Sequence, residues 1–339
     1  MKKRICIFGA GSIGCYVGGF LASTGSPVTF IGRERLRNIL VNKGLHLTDL
    51  HGADLHIKAD TFHFATDAAA STDADLVLVT VKSADTASAG KALAEILKPD
   101  AVVISFQNGI GNTERLRETL SRQTVLSGMV QFNVVNRGEG RFHLGAEGGL
   151  EVELHPALAP FLPVFAKAGL PVKQYADMRP VKWAKLLLNL NNPVNALSDL
   201  PLKDELSQRA FRRCFAMAQS EALKLMRSAG IQPARLTPLP PRWIPALLSV
   251  PTWLFRLVAN KMLAIDPLAR SSMWEDLEAG RRTEINWLNG EIVRLAERLS
   301  CRAPVNARLV TLIREAEDGG KRQWSGEALL ADLKIAAQD

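Results

Sequence analysis

Apolar positions in the first half of the chain fall in short, dense runs separated by glycine turns and helix-like stretches. Ile5–Phe8, Val28–Ile31, Asp75–Val81, Ala101–Phe106, Thr124–Val130 and Pro171–Tyr175 read as strands. The run DLVLVTV at 75–81 is apolar almost without alternation, as a strand covered on both faces requires. Between these runs, Gly14–Ser23, Ala84–Leu97 (ended by Pro99) and Pro156–Ala168 carry helical patterns. Leu45–Phe64 alternates loosely and predicts an edge hairpin. Asn133–Gly149 is glycine-rich, with a strand-like Arg141–Leu144, and predicts an antiparallel extension of the sheet. The β-α-β alternation from Arg4 to Tyr175 therefore predicts a Rossmann-type, doubly wound α/β domain.

Beyond Pro180 the periodicity becomes helical. Val181–Leu197, the amphipathic Leu206–Ala229 stopped by Gly230, a pattern from Pro267 to Leu299 with an interruption at Gly280 left open, and Pro304–Asp318 all read as helices. Gln232–Pro251 is proline-rich, and Thr252–Ala264 is apolar with Arg256 and Lys261 inserted. The segment near 232–266 reads as a packed insertion; a lid, a dimer contact and a membrane-surface helix are the alternatives. The predicted organisation is a dinucleotide-binding domain at 1–178 and an all-α substrate domain at 179–339.

The stretch RICIFGAGSIG at 4–14 is where chemistry first enters. Its glycines, Gly9, Gly11 and Gly14, keep the G-x-G-x-x-G spacing at the end of a strand and the start of a helix. Gly9 permits the tight turn, Gly11 lets the backbone approach a pyrophosphate, and Gly14 lets the helix pack on the sheet. The helix N-terminus then presents N–H groups to the anion. Gly9, Ala10, Gly11, Ser12, Ile13 and Gly14 are the predicted cofactor loop. An acid near the end of the second strand would mark NAD. Here Ile31 and Gly32 are followed by Arg33, whose planar fork of donors suits a 2′-phosphate, so NADPH/NADP+ is the expected cofactor. Ligands of doubly wound sheets lie beyond the carboxyl ends of strands, which places Lys82 and the Gln107–Gly111 stretch at the site.

The chain has 339 residues, 47% hydrophobic and 22% charged, with a formal net charge of +8. Its length suits two domains and its composition a globular protein. The basic residues are scattered among acids, so an anionic small molecule is expected rather than nucleic acid. Cys6, Cys15, Cys214 and Cys301 form no C-x-x-C pair, in keeping with a reducing cytoplasm. No uninterrupted apolar run is long enough to predict a membrane span. His46, His51, His56 and His63 crowd the predicted hairpin; without cysteines or helically spaced histidines they read as exposed, with no metal expected.

A 2-oxo acid reductase needs a proton donor at the substrate oxygen. In WAKLLLNLNNPVNALS, Lys185, Asn189 and Asn192 stand at i, i+4 and i+7 on one helix face, among leucines. That polar stripe predicts a cleft with lysine as general acid and amides orienting substrate oxygens. Ser272 and Glu284 lie twelve positions apart, about 18 Å along one straight helix. They are therefore expected to serve different ligands, Ser272 the substrate and Glu284 the cofactor.

Taken together, GAGSIG at 9–14, VTVKS around Lys82, QNGIG at 107–111, WAKLLLN at 183–189, SSMWEDL at 271–277 and RTEINWLNG at 282–290 resemble the ketopantoate reductases (2-dehydropantoate 2-reductases). The resemblance spans nearly the whole chain in the family's order. It implies an NADPH-binding Rossmann domain, a helical domain and an active cleft between them. It further implies Lys185 as proton donor and Asn108, Asn189, Asn192 and Ser272 around the substrate. Asn108 would also touch the cofactor, as would Glu284. Two departures fall on the substrate side. Asn189 and Asn192 enclose two residues where the family usually has three, which leaves Asn191 and Asn195 as alternatives. Leu202 stands where some members carry a further asparagine. The expected activity is NADPH-dependent reduction of ketopantoate to pantoate in a soluble, cytoplasmic enzyme, with a homodimer as a candidate assembly. A reductase of another branched 2-oxo acid and a non-catalytic NADPH-binding regulator are the competing readings. Lys185, Ser272 and Glu284 speak against the regulator, because a sensor needs no proton donor.

Overall fold

The computed structural model describes residues 2–146, 148–258 and 269–338. The end of the apolar stretch Thr252–Ala264 and the helix start expected at Pro267 lie outside the described residues. The chain divides into two compact units, Met1–Met178 and Arg179–Asp339.

In the first unit the described elements run β1 (Ile5–Phe8), α1 (Ser12–Ser23), β2 (Val28–Ile31), α2 (Glu34–Lys43), β3 (Leu45–Thr48), β4 (Asp54–Ile57), β5 (His63–Ala65), β6 (Leu76–Val79), α3 (Thr86–Ile96), β7 (Val102–Ser105), α4 (Asn112–Thr119), β8 (Thr124–Val130), β9 (Asn133–Asn136), β10 (Arg141–Ala146), β11 (Leu150–Glu153), α5 (Leu162–Lys167) and β12 (Val172–Tyr175). Eight strands form one sheet in the order β12-β11-β8-β7-β6-β1-β2-β5. Its pairs from β8 to β5 are all parallel, and β11 joins β8 antiparallel. Alternate strand residues enter different cores. Ile5, Ile7, Leu76, Leu78, Val102 and Ile104 face α1 and α5, whereas Cys6, Phe8, Val77, Val79 and Val103 face α3 and α4. This two-sided cover explains the unbroken apolar runs.

The antiparallel extension expected from Asn133–Gly149 does not form from that stretch. β9 and β10 leave the main sheet for a second one, ordered β4-β3-β10-β9, and β11 alone makes the extension. The second sheet lays Leu45, Leu47, Ile57, Val134 and Phe142 into the core shared with α1. Helix α1 is thus packed on both sides, and two adjacent glycines make room. A Cβ at Gly18 would lie 2.4 Å from Phe30 on the main sheet, and one at Gly19 2.8 Å from Leu47 on the small sheet. The helix expected at Pro156–Ala168 is a 3-10 turn, Pro156–Leu158, followed by the shorter α5.

In the second unit the described elements are helical: α6 (Arg179–Asn189), α7 (Asn192–Ser198), α8 (Leu202–Ser207), α9 (Arg209–Ser228), α10 (Ile244–Ser249), α11 (Thr252–Val258), α12 (Ser272–Glu278), α13 (Asn289–Arg298), α14 (Pro304–Glu317) and α15 (Gly326–Ala336). Three long helices expected from periodicity are divided. The helix read over Val181–Leu197 breaks at Leu190 and Asn191, where Pro193 has no N–H to continue the ladder to Asn189. The one read over Leu206–Ala229 starts at Arg209, after an extended Gln208. The one read from Pro267 to Leu299 ends α12 at Glu278, turns at Gly280 with φ of +62°, and resumes as α13. Helix α15 was not anticipated.

Glu205, on α8, is fully buried. Asn191 donates to its Oε2 at 2.9 Å, and Asn195 lies 3.4 Å from the same oxygen. Asn195 also accepts from the Ser271 backbone N–H at 2.9 Å, and the Ser271 hydroxyl donates to the Asn192 carbonyl at 3.2 Å. The start of α12 is thereby tied to the start of α7. Burial pushes the Glu205 carboxyl up to about 8, against the two amide hydrogen bonds.

Three outcomes are expected. Gly14→Ala places a Cβ 2.5 Å from the Gly9 carbonyl oxygen and 2.9 Å from Ile7, and should destabilise the fold by about 1–3 kcal/mol or more. Gly11→Ala meets nothing within 4 Å and should stay within about 0.5 kcal/mol of the parent in urea unfolding. For Glu205, the unfolded chain loses the proton in the ordinary carboxylate range and the folded chain only near pH 8. Glu205 therefore makes stability fall as pH rises between those limits, with no further change above them. Urea midpoints measured from pH 5 to pH 9 should show a downward slope that Glu205→Gln flattens; an equal slope in both proteins refutes the assignment.

Candidate active site

The site in the first unit is built at the carboxyl ends of four adjacent parallel strands, β7, β6, β1 and β2. After β1, Gly9 takes a φ of +114°, a conformation open to glycine and strained for any side chain. The Gly9 and Ala10 N–H groups both donate to the Ile31 carbonyl, at 3.0 and 2.8 Å. The Thr80 hydroxyl, just beyond β6, donates to the Gly9 carbonyl at 2.7 Å. The turn is thus held by both neighbouring strands. Gly11 is exposed and caps α1; no side chain caps that helix, and its first turn, with Ser12, Ile13 and Gly14, holds no acid. The space a Cβ would fill at Gly11 is open. An uncapped helix N-terminus behind such an opening fits the pyrophosphate of a dinucleotide.

Arg33 stands beside this loop, exposed, at the N-cap of α2 after β2. The next residue in the chain, the acid Glu34, is engaged by Arg37 at 2.7 Å. A guanidinium therefore occupies the position where a ribose-binding carboxylate would stand. Lys82 follows β6, half-buried, although β6 itself ends at Val79, two residues before the limit read from the sequence.

Asn108 follows β7 and is held by a buried polar network that the sequence did not announce. Ser83, Thr86, Ser105, Gln107 and Asn112 are all buried. The Gln107 amide nitrogen donates to the Val81 carbonyl at 3.1 Å and the Thr86 hydroxyl at 2.7 Å, and its oxygen accepts from Ser105 at 2.9 Å. Asn112 donates to the Asn108 carbonyl at 2.5 Å and the Ser83 hydroxyl at 2.9 Å. These bonds join the loop after β6 to the loop after β7, so the backbones at Lys82 and Asn108 are fixed together. Ser83 and Gln107 lie in the loops after β6 and β7, and Thr86 and Asn112 open α3 and α4, in stretches already polar in sequence, so nothing set them apart.

In the second unit, Lys185 and Asn189 keep their i, i+4 relation on α6 and are half-exposed, Lys185 between the buried Ala184 and Leu186. Asn192 is half-exposed too, but it is the first residue of α7, so the i+7 alignment along one straight axis does not hold. Asn191 and Asn195 are buried, with their amides turned to Glu205. Ser272 is exposed at the first turn of α12, next to Ser271 on the Asn192 carbonyl. Ser271 caps α12 by accepting from the Trp274 N–H at 3.2 Å. Trp274 donates through its indole to Asp199 at 2.6 Å. Asp199 ends α7 with φ of +56° and is held below the usual carboxylate range by bonds from Trp274 and Gln323 and by Arg322 and Arg270, despite its burial. Helix α12 is thus pinned to both ends of α7, which gathers Asn192 and Ser272.

Glu284 is half-exposed at the N-cap of the 3-10 turn Ile285–Trp287. Because α12 stops at Glu278, the 18 Å straight-helix separation from Ser272 is not realised. The neighbouring Thr283 N–H donates to Glu317 at 2.7 Å, which sets this turn on the end of α14. The histidines outside the early hairpin have local partners: His143 bonds Thr48 at 2.7 Å, and His155 accepts from the Ala157 N–H at 3.2 Å.

The family model described as ketopantoate reductase PanE/ApbA matches residues 5–157, and its C-terminal counterpart matches 177–317. The chain is 29% identical to the 2-dehydropantoate 2-reductase of Archaeoglobus fulgidus, over 94% of this chain and 99% of that one. It is also 29% identical to the 2-dehydropantoate 2-reductase of Halobacterium salinarum, over 94% and 100%. A crystal structure of a PanE/ApbA family ketopantoate reductase from Ralstonia eutropha superposes with a TM-score of 0.79 at 31% identity, covering 93% of this chain and 99% of that one. D-mandelate dehydrogenase, solved with NADH and anilino(oxo)acetate, shares the fold with a TM-score of 0.77 at 19% identity, covering 93% and 99%. A glycine turn that leaves space for a pyrophosphate and matches to the family's two models over residues 5–157 and 177–317 lead to one assignment: the chain belongs to the ketopantoate reductase PanE/ApbA family.

Proposed function

We propose that this chain reduces the 2-oxo group of 2-dehydropantoate to the hydroxyl of pantoate at the expense of NADPH. The observation that carries the reading is the solvent-accessible set of half-exposed Lys185, Asn189 and Asn192 and exposed Ser272 on α6, α7 and α12, within a chain whose two halves match the family's two models.

Bound nicotinamide supplies the hydride for the oxo carbon. Gly9 to Gly14 receive the pyrophosphate, with Lys82, Asn108 and Glu284 as further cofactor contacts. Arg33 favours the 2′-phosphate of NADPH through charge-assisted hydrogen bonds. The Lys185 ammonium delivers a proton to the substrate oxygen as negative charge builds there. Asn108, Asn189 and Asn192 orient the substrate; an amide both donates and accepts, which suits a hydroxyl beside a carbonyl. Ser272 donates to the substrate carboxylate. No metal enters the proposal. Reduction of another branched 2-oxo acid is the second reading, favoured by the short Asn189–Asn192 spacing and by Leu202.

Two variants separate the roles. Arg33→Ala should weaken NADPH binding about ten- to a hundredfold while leaving NADH nearly unchanged, as read by fluorescence titration. Lys185→Ala should lower kcat about 10²–10⁴-fold with little change in cofactor affinity. A substrate panel followed by NADPH absorbance tests the reading itself. A 2-oxo acid of similar bulk without the hydroxyl should lose up to about 10⁴-fold in kcat/KM relative to ketopantoate. Equal or better turnover of that analogue overturns the named substrate and favours the second reading.

A further inference from the structure

The hairpin of β3 and β4 carries a feature that the reductase chemistry does not use. In its antiparallel register His46 lies directly opposite His56, and Thr48 opposite Asp54. Asp54 and His56 are two apart on one strand, so their side chains share a face with His46. The other face, with Leu45, Leu47 and Ile57, is buried against α1. Core packing therefore dictates that His46, Asp54 and His56 point outward together. The hairpin turn is braced as well, since Asp49 accepts from the His51 and Ala53 N–H groups, both at 2.8 Å.

The two imidazole rings stack with centroids 3.9 Å apart and planes 18° from parallel. Both Nε2 atoms turn to the same carboxylate oxygen of Asp54, at 2.6 Å from His46 and 3.4 Å from His56. One ligand atom from each residue lies within 4.8 Å of the other two. A first-row divalent ion needs contacts of about 2.0–2.2 Å to such atoms. Small side-chain rotations bring three atoms so spaced onto one ion, and the backbone need not move. Two imidazoles and one carboxylate form a donor set suited to zinc and its neighbours in the first transition row, and unsuited to calcium or magnesium. His56 and Asp54 are largely exposed, which leaves the remaining coordination positions to water.

We propose that His46, Asp54 and His56 form a surface site for a divalent transition-metal ion of the zinc class, which clips β3 to β4. The site is open, and it holds the edge of the small sheet that covers α1. Helical spacing is the pattern usually sought for paired histidines. The strand equivalent, an i, i+2 pair plus a cross-strand partner, carries this site.

The test uses the untagged, chelator-treated full chain titrated with Zn²⁺ alone by calorimetry, and with Co²⁺ by its visible d–d absorption. One equivalent should bind, with a Co²⁺ spectrum of mixed nitrogen and oxygen ligation, and zinc should raise the melting temperature. Removing an outer partner of a metal ligand typically costs about 10–100-fold in affinity, so His46→Ala, His56→Ala and Asp54→Asn, which remove direct ligands, should each lose at least that much. His63→Ala should bind as the parent does. All four substitutions are at surface positions and leave the fold readable by circular dichroism. Unchanged stoichiometry and affinity in the three ligand variants, or no saturable binding to the parent, overturns the site. In that case the trio is a hydrogen-bonded cluster of Asp54 and its histidines only.

Discussion

The contact that the first unit depends on is the approach of α1 to the sheet at Gly14. A single added carbon there would fall within 3 Å of the Gly9 carbonyl oxygen, the Thr80 hydroxyl and Ile7. Protein interiors are packed too tightly to absorb such an atom without movement. The same closeness lets the Thr80 hydroxyl reach the Gly9 carbonyl, fixing the turn after β1 from the β6 side, while the Ile31 carbonyl fixes it from the β2 side. An anion-binding turn is useful only if its N–H groups are already aimed, since ordering them at binding would cost affinity. The glycine spacing thus serves packing at one end and ligand access at the other: Gly14 has no room for a side chain, whereas Gly11 has room that the protein leaves open.

The second unit solves a different problem, because its polar residues come from helices distant in sequence. Asn191 and Asn195 turn inward to Glu205, and Asn195 passes the connection on to Ser271. Asp199, at the far end of α7, receives Trp274 and Gln323. Between these two anchors, Asn192 and Ser272 are held on neighbouring helices without spending their own side chains on the scaffold bonds described here. Buried polar networks are costly when half satisfied. Burial pushes the Glu205 carboxyl up to about 8, which lessens the penalty of a buried charge at neutral pH, while its Oε1 and the Asn191 Oδ1 have no hydrogen-bond partner among the described residues.

The centre of the main sheet could be read from the sequence because β1, β6 and β7 are buried on both faces and so appear as uninterrupted apolar runs. The small sheet was less readable. Alternation in Leu45–Ile57 and Asn133–Leu144 shows that one face is buried, but says nothing of the parallel pairing of β10 with β3. Helix breaks were misread for a related reason: apolar periodicity passes through Leu190 and Asn191 undisturbed, and the break comes from the missing donor at Pro193. The glycine turn was legible because its spacing is a backbone requirement. The shared helix face of Lys185 and Asn189 was legible through an i, i+4 relation that α6 preserves. Ser271, Asn195 and Glu205 were missed as a network because burial and long-range partnership leave no periodic trace. Ser271 alone had a local signature, a serine three residues before the Trp274 N–H it caps.

Arg212 shows how the described part of the proline-rich segment is joined to the helical unit. The residue is fully buried on α9, and among the described residues no carboxylate is a hydrogen-bond partner of it. Its guanidinium donates to the carbonyls of Leu206 and Ser207 at the end of α8, and of Leu248 and Val250 at the end of α10. Phe255 of α11 covers it at 4.2 Å from the ring centroid. Helix C-termini carry partial negative charge and unpaired carbonyls, so two of them converging on one guanidinium satisfy its fork without an acid. A carboxylate at the same place would bring a second buried charge with its own desolvation cost. A lysine would supply fewer donors in no fixed plane. The segment around α10 and α11 is therefore docked onto α9 by backbone carbonyls, which any side-chain sequence can provide. That is why its composition, rich in proline and poor in charge, gave so little indication of how firmly it is held.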